Sequence, residues 1–333
     1  SFTQKHRGET QLLVTVNRYL ERLMPVITPT SVVIGVLLAG TMDNYAFLIP
    51  WIFAFMTFSG SLNSNFSSLK NTLQHPFPMF LIFFVLHILM PLWAWGIGNM
   101  TFNGDSLTII GIILAMSIPT GISSFIWVSI YRGNIPLTLS IILIDAFLAP
   151  FIVPLTLSIL VGASVEMDSL TIMKGLIGMI VVPTLIGMIL NHTTKGKVAK
   201  VLSPKLAPFT KLGMATIVMI NGAVVAPYLK NIDKKLVMIT IIVFCIAFTG
   251  YLFAFIIGKM CRVDKETVIT ITFTGGMRNI STGAVLAVSY FPPPVAVPVV
   301  IGMLFQQVLA SLYGAVLDRY YHRQVYNSRE QAM

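Results

Sequence analysis

The sequence predicts an all-α polytopic membrane protein of ten transmembrane helices, arranged as two inverted five-helix repeats in which helices four and nine are broken. Three observations predict it. The 333-residue chain is 56% hydrophobic and only 10% charged, with a mean hydropathy of +0.84, whereas soluble domains carry about 25% charged residues. Ten apolar stretches divide the chain, and the basic residues between them fall almost entirely on one side. Two of the stretches, at matching positions in the two halves, are interrupted by glycine, proline and polar residues near mid-membrane depth. Such paired interruptions are the sequence mark of a midplane binding site in secondary transporters.

The elements follow in order. Residues 8–24 place Leu12, Leu13, Val16, Tyr19, Leu20 and Leu23 at helical spacing, with Arg18, Glu21 and Arg22 between them. This pattern predicts an amphipathic helix on the membrane surface, or a plain cytoplasmic lead-in. The stretch Ser1 to Met24 is too polar for a signal-peptide core. The ten spans are Pro25–Thr41, Asn44–Leu62, Phe77–Gly98, Leu107–Ile130, Ile135–Leu160, Leu170–Leu190, Leu206–Leu229, Leu236–Met260, Val268–Tyr290 and Pro293–Leu317. The organisation is then 1–24 as an N-terminal segment, 25–160 and 161–320 as the two repeats, and 321–333 as a tail.

Charge sets the orientation. An even number of spans puts both termini on one side. That side receives the basic residues of both ends and of the loops at Lys70, Arg132, Lys195–Lys211 and Lys259–Lys265, while the other receives only Lys174, Lys230, Lys234 and Lys235. Both termini are therefore cytoplasmic, and a bacterial inner membrane is the expected location. The net charge of +10 is loop charge of this kind, not a nucleic-acid signature. A repeat of five spans must be inverted relative to its partner, so span four pairs with span nine.

Span nine carries Thr274-Gly275-Gly276-Met277-Arg278-Asn279 at its middle. Adjacent glycines weaken a helix, and an arginine roughly 15 Å deep is costly and usually functional. Span four carries Pro119-Thr120-Gly121-Ile122-Ser123-Ser124. Its proline removes a helical hydrogen bond. Two further ionisable residues lie at similar depth, Asp145 in span five and His87 in span three. Thr138, Ile142 and Asp145 share a helix face that the tight turn at 131–134 aims toward span four. Asp145 is the expected counter-ion of Arg278. The structural alternatives are an inert ion pair, a packing histidine, and hydroxyls that only satisfy carbonyls freed at the kink. Cys245 and Cys261 give neither a disulfide framework nor a metal site. No Walker A motif, HExxH or nucleophile setting is present, so the chain reads as no enzyme and no ATP-driven pump.

These residues carry a resemblance. PTGISS, then YRGNIPLTLS, then FLAPFIVP, with TGGMRN in span nine and FMTFSGSLNSNFSSLK in span two, resemble the bile acid:sodium symporter family over about Pro25 to Leu317. The resemblance implies a core domain containing the crossed, broken helices four and nine, and a panel domain of helices one, two, six and seven. It also implies transport of an organic anion, a bile acid or a smaller carboxylate, usually with sodium. The departures are specific. The family's sodium-ligand carboxylate falls on Thr274 and its glutamine on Arg278. The asparagine of span four falls on Phe125, after a retained Ser124. The hydroxyls of span five fall on Thr138 and Ile142, and the glutamine of span three on Leu86, beside His87. Ser124, Thr138 and Asn279 are the residual sodium candidates.

The expected function is therefore secondary transport of an organic anion by alternating access, with Arg278 in place of sodium and with sodium or a proton as the coupling ion. A sodium symporter with rearranged ligands and a non-transporting sensor on the same fold are the alternatives. The site is expected at Pro119, Gly121, Ser123, Ser124, Thr138, Asp145, Thr274, Gly276, Arg278, Asn279 and His87. The expected partners are the small anion and the lipid bilayer; a monomer and a homodimer are both open.

Overall fold

The computed structural model describes residues 2–67, 73, 76–162 and 167–330. Among them every regular element is a helix. The helices are α1 (Phe2–Leu37), α2 (Ala39–Met42), α3 (Ile49–Ser61), α4 (Pro76–Thr101), α5 (Ser106–Ser117), α6 (Ser123–Ile130), α7 (Ile135–Val161), α8 (Ser169–Thr193), α9 (Lys197–Val201), α10 (Ser203–Leu229), α11 (Lys234–Met260), α12 (Lys265–Gly276), α13 (Ile280–Tyr290) and α14 (Ala296–Glu330).

Six helices are long and apolar enough to cross a membrane: α4, α7, α8, α10, α11 and the segment Pro293–Tyr321. A seventh is reached if Val26–Leu37 and Ala39–Ser61, which meet at 86°, count as one bent span. Large apolar side chains stand exposed on the outer helices, among them Phe151, Leu155 and Ile159 of α7 and Val237, Ile241 and Ile256 of α11. Such a belt is a liability in water and the natural surface of a protein in lipid.

Six helices begin on an aspartate or asparagine. Asp105, Asn134, Asp168, Asp233, Asp264 and Asn279 accept the backbone N–H of Thr108, Leu137, Thr171, Leu236, Thr267 and Thr282. Each cap satisfies one of the donors that a helix start leaves without a partner. In α4 and α8 the helix widens to a π turn, at Val85–Leu89 and Ile177–Val181. Pro91 and Pro183 stand one residue beyond these turns. A proline has no N–H to give the carbonyl four residues back, so the turn relaxes there.

At the N-terminus α1 runs unbroken from Phe2 to Leu37 and through Pro29. Packing explains this. α1 lies along α10, with Lys211 donating to Asn17. Farther along, a Cβ on Gly35 would stand 1.9 Å from the Met219 carbonyl oxygen. A glycine there lets the two backbones touch, the usual device of helix pairs in membranes.

The core lies around α5, α12 and α13. Every residue from Thr108 to Ser117, from Thr267 to Gly275 and from Ile280 to Ala287 is buried. These helices are covered on all sides, and they end and begin at the two interrupted stretches.

Candidate functional site

Two interruptions meet at the centre of the molecule. α5 ends at Ser117 and α6 starts at Ser123; α12 ends at Gly276 and α13 starts at Ile280. Both ends are made the same way. Ile118 and Met277 turn extended, and each still donates to a carbonyl four residues back, Leu114 at 3.3 Å and Phe273 at 2.9 Å. The interruptions then bond to each other. The Asn279 N–H donates to the Pro119 carbonyl at 2.8 Å, and the Thr120 hydroxyl donates to the Met277 carbonyl at 3.2 Å. Gly121 fits because its missing Cβ would lie 3.2 Å from Asn279 Cα.

Arg278 is only 2% exposed. Its guanidinium donates to the carbonyls of Met116 (3.2 Å), Gly275 (2.7 Å) and Met277 (3.3 Å). Met116 and Gly275 are the penultimate residues of α5 and α12. A helix end leaves its last carbonyls unpaired and carries partial negative charge, so one cation closes both ends. The Arg278 N–H donates to Gln306 Oε1 at 3.0 Å, and the Tyr251 hydroxyl donates to the Gln306 carbonyl at 3.2 Å. Gly276 lies under Tyr251, where a Cβ would come within 2.5 Å of the ring.

Asp145 is fully buried, and its partner is not the expected one. The direct Arg278–Asp145 ion pair is absent among the described residues. One Asp145 oxygen takes His87 Nε2 at 2.6 Å, and the other accepts the Thr120 N–H at 2.6 Å. The reason lies in competition: two helix ends offer the guanidinium three carbonyls, while His87 and Thr120 saturate the carboxylate. Asp145 still acts on Arg278 through space by its charge.

The remaining predicted residues divide. Asn279 caps α13 with its side chain. The Ser124 hydroxyl donates to the Gly121 carbonyl at 2.7 Å, inside its own interruption, and Ser123 is half-buried next to it. Thr138 and Thr274 turn away to their own helices, donating to the Asn134 carbonyl (2.8 Å) and the Thr270 carbonyl (2.6 Å). Pro119, Gly121, Asp145, His87, Gly276, Arg278 and Asn279 are thus gathered at the crossing. Thr120, Met116, Gly275, Tyr251 and Gln306 join them without having been predicted as site residues. Gln306 had a sequence signal, an amide inside an apolar span; the carbonyls of Met116 and Gly275 had none.

The chain is thus a helical membrane protein whose centre is a covered crossing with a buried cation at two helix ends. The family model of the sodium bile acid symporter family matches residues 50–232, and the chain belongs to that family. It is similar to the uncharacterized protein YbaS of Bacillus subtilis (strain 168), 55% identical over 89% of this chain and 97% of that one. It is 28% identical to the probable sodium/metabolite cotransporter BASS1, chloroplastic, of Oryza sativa subsp. japonica, over 74% of this chain and 60% of that one. The uncharacterized sodium-dependent transporter YocS of Bacillus subtilis (strain 168) is 24% identical over 85% and 87%. Members of this family are transporters, and the chain's work is transport.

Proposed function

We propose that the protein is a secondary transporter of an organic anion, bile-acid-like or a small carboxylate, working by alternating access without a sodium ion at the crossing. In this reading ten spans form two inverted five-helix repeats, and α5–α6 and α12–α13 are the broken fourth and ninth. The chain sits in the cell membrane with both termini cytoplasmic. One observation carries the reading: the Arg278 guanidinium donates to carbonyls at the ends of both α5 and α12. A bound metal cation would take such carbonyls as ligands. An arginine offers only donors, and it repels a second cation nearby in poorly screened surroundings.

The names of two relatives favour a second reading, sodium symport with rearranged ligands. Proteoliposomes separate the two. Uptake of labelled taurocholate and of labelled pyruvate is measured in sodium buffer and in choline buffer at equal ionic strength and pH. The proposal expects equal uptake in both; a saturable, several-fold stimulation by sodium overturns it and selects symport.

A further inference from the structure

We propose that His87 and Asp145 form a proton-binding site that controls the state of the crossing, an inference that rests on the reading of Arg278 as the resident cation. The pair is made by the fold. The π turn at Val85–Leu89 carries His87, and its imidazole meets the Asp145 carboxylate at 2.6 Å, with the two side chains 8% and 0% exposed. The carboxylate is wired onward. Its second oxygen holds the Thr120 N–H, and the Thr120 hydroxyl holds the Met277 carbonyl. A proton gained by the imidazole therefore reaches both interruptions, since an imidazolium, a charged donor, binds the carboxylate that holds the Thr120 N–H more strongly than a neutral ring does.

His87 Nδ1 is buried and has no partner. A neutral imidazole tolerates this nitrogen as an empty acceptor. An imidazolium turns it into a donor, and an unpaired buried donor is costly. Proton uptake thus favours any arrangement of the crossing that brings an acceptor to Nδ1, which is how a proton shifts a two-state equilibrium. Charge points the same way. Beside the pair, α4 has no other titratable side chain, α5 has none, and Asp145 is the one charged residue of α7. From α12–α13 the charge acting on Asp145 is Arg278, and Tyr251 of α11 faces that guanidinium. Lys265 and Glu266 of α12, and Lys234, Lys235 and Lys259 of α11, stand at the ends of their helices. The carboxylate and guanidinium cancel, one proton leaves a single positive charge, and a monocarboxylate restores neutrality. In a low-dielectric core the neutral set is favoured, so proton and anion enter together.

The test needs no substrate. Full-length protein in phosphatidylglycerol nanodiscs is followed by amide hydrogen exchange at about pH 5.5 and about pH 8, the range in which an imidazole gains a proton. Times are rescaled for intrinsic chemistry. Peptides covering 116–124 and 274–282 are expected to change protection by about threefold or more between the two conditions. His87→Gln should abolish the change, and His192→Gln, on α8 against Phe66, should keep it. A wild type whose crossing is indifferent to pH overturns the proposal, as does a response that survives His87→Gln; if that variant does not fold, Asp145→Asn takes its place and the wild-type profile alone still decides. Exchanging sodium for choline in the same samples reports separately on Arg278. Protection that follows sodium sinks the sodium-free reading, while the role of His87 and Asp145 is still decided by the pH series.

Discussion

The two interruptions share a scaffold and differ in chemistry. α5 and α12 are both 12 residues long, both start on an aspartate that binds a threonine three positions on, and both end on an extended residue. At the first, Pro119 contributes a carbonyl and no N–H, and the donors come from neutral Thr120. At the second, Arg278 contributes a side chain that donates to both helix ends. One arm carries only neutral groups, and the other carries a cation that serves both helix ends. Backbone symmetry therefore does not require chemical symmetry, and a single residue can settle the electrostatics of a crossing built from two.

The sharpest way to break this comparison is Arg278→Gln. It leaves the Met116 and Gly275 carbonyls buried without their donor, a loss of about 1–3 kcal/mol for each group left unpaired. The melting temperature of the purified variant should fall steeply, and sodium, without effect on the wild type, should restore part of it. A variant as stable as wild type, or one blind to sodium, would contradict the assignment of Arg278 as resident cation.

Glycine substitution sharpens it next. Gly276→Ala drives a Cβ into the Tyr251 ring at 2.5 Å and should cost about 1–3 kcal/mol by overpacking. Gly121→Ala meets its nearest atom only at 3.2 Å and should be the milder of the two by denaturation in detergent. Equal losses would mean that the two arms are packed alike.

Thr120→Val keeps the N–H that holds Asp145 and removes the hydroxyl that reaches Met277, at a cost of about 1 kcal/mol. Thermal melts should show a smaller loss than for Gly276→Ala.

The smallest effects test the shared scaffold. Burial alone would push the Asp105 and Asp264 carboxyls up. The Lys235 ammonium at 2.7 Å and Thr108 donors at Asp105, and the Thr267 donors at Asp264, outweigh it and hold both below the usual carboxylate value. Their contribution is present above the unfolded carboxylate value and lost as pH falls through the folded one, so it fades below about pH 4. Asp105→Ala and Asp264→Ala should each cost about 1 kcal/mol at neutral pH. The deficit relative to wild type should shrink on acidification; a deficit independent of pH would exclude a charged cap.

Much of this was legible in the sequence. Four long helices, α7, α8, α10 and α11, start and stop within three residues of the apolar runs, because burying a backbone in lipid leaves helices little choice. Both interruptions were legible too, from Pro119, Gly121 and Gly275-Gly276. The partner of Asp145 was not. Helical spacing describes regular turns, and His87 lies in a widened one, where Pro91 shifts the register by a residue. Nor can a sequence reveal that Arg278 prefers carbonyls, since every residue has one and only the fold decides which are left unpaired. The continuity of α1 escaped for a similar reason: Gly35 against Met219 is a contact between segments far apart in the chain.

A guanidinium joined to the backbone differs from a dissolved ion in one thermodynamic respect. Its effective concentration at the crossing is fixed by the covalent chain, so it has no gradient to run down. Arg278 neutralises the helix ends in place, but it performs no osmotic work there. On the proposed sodium-free reading, the driving force then has to come from the substrate's own gradient or from another species. In exchange, the occupancy of that position no longer depends on the salinity outside the cell.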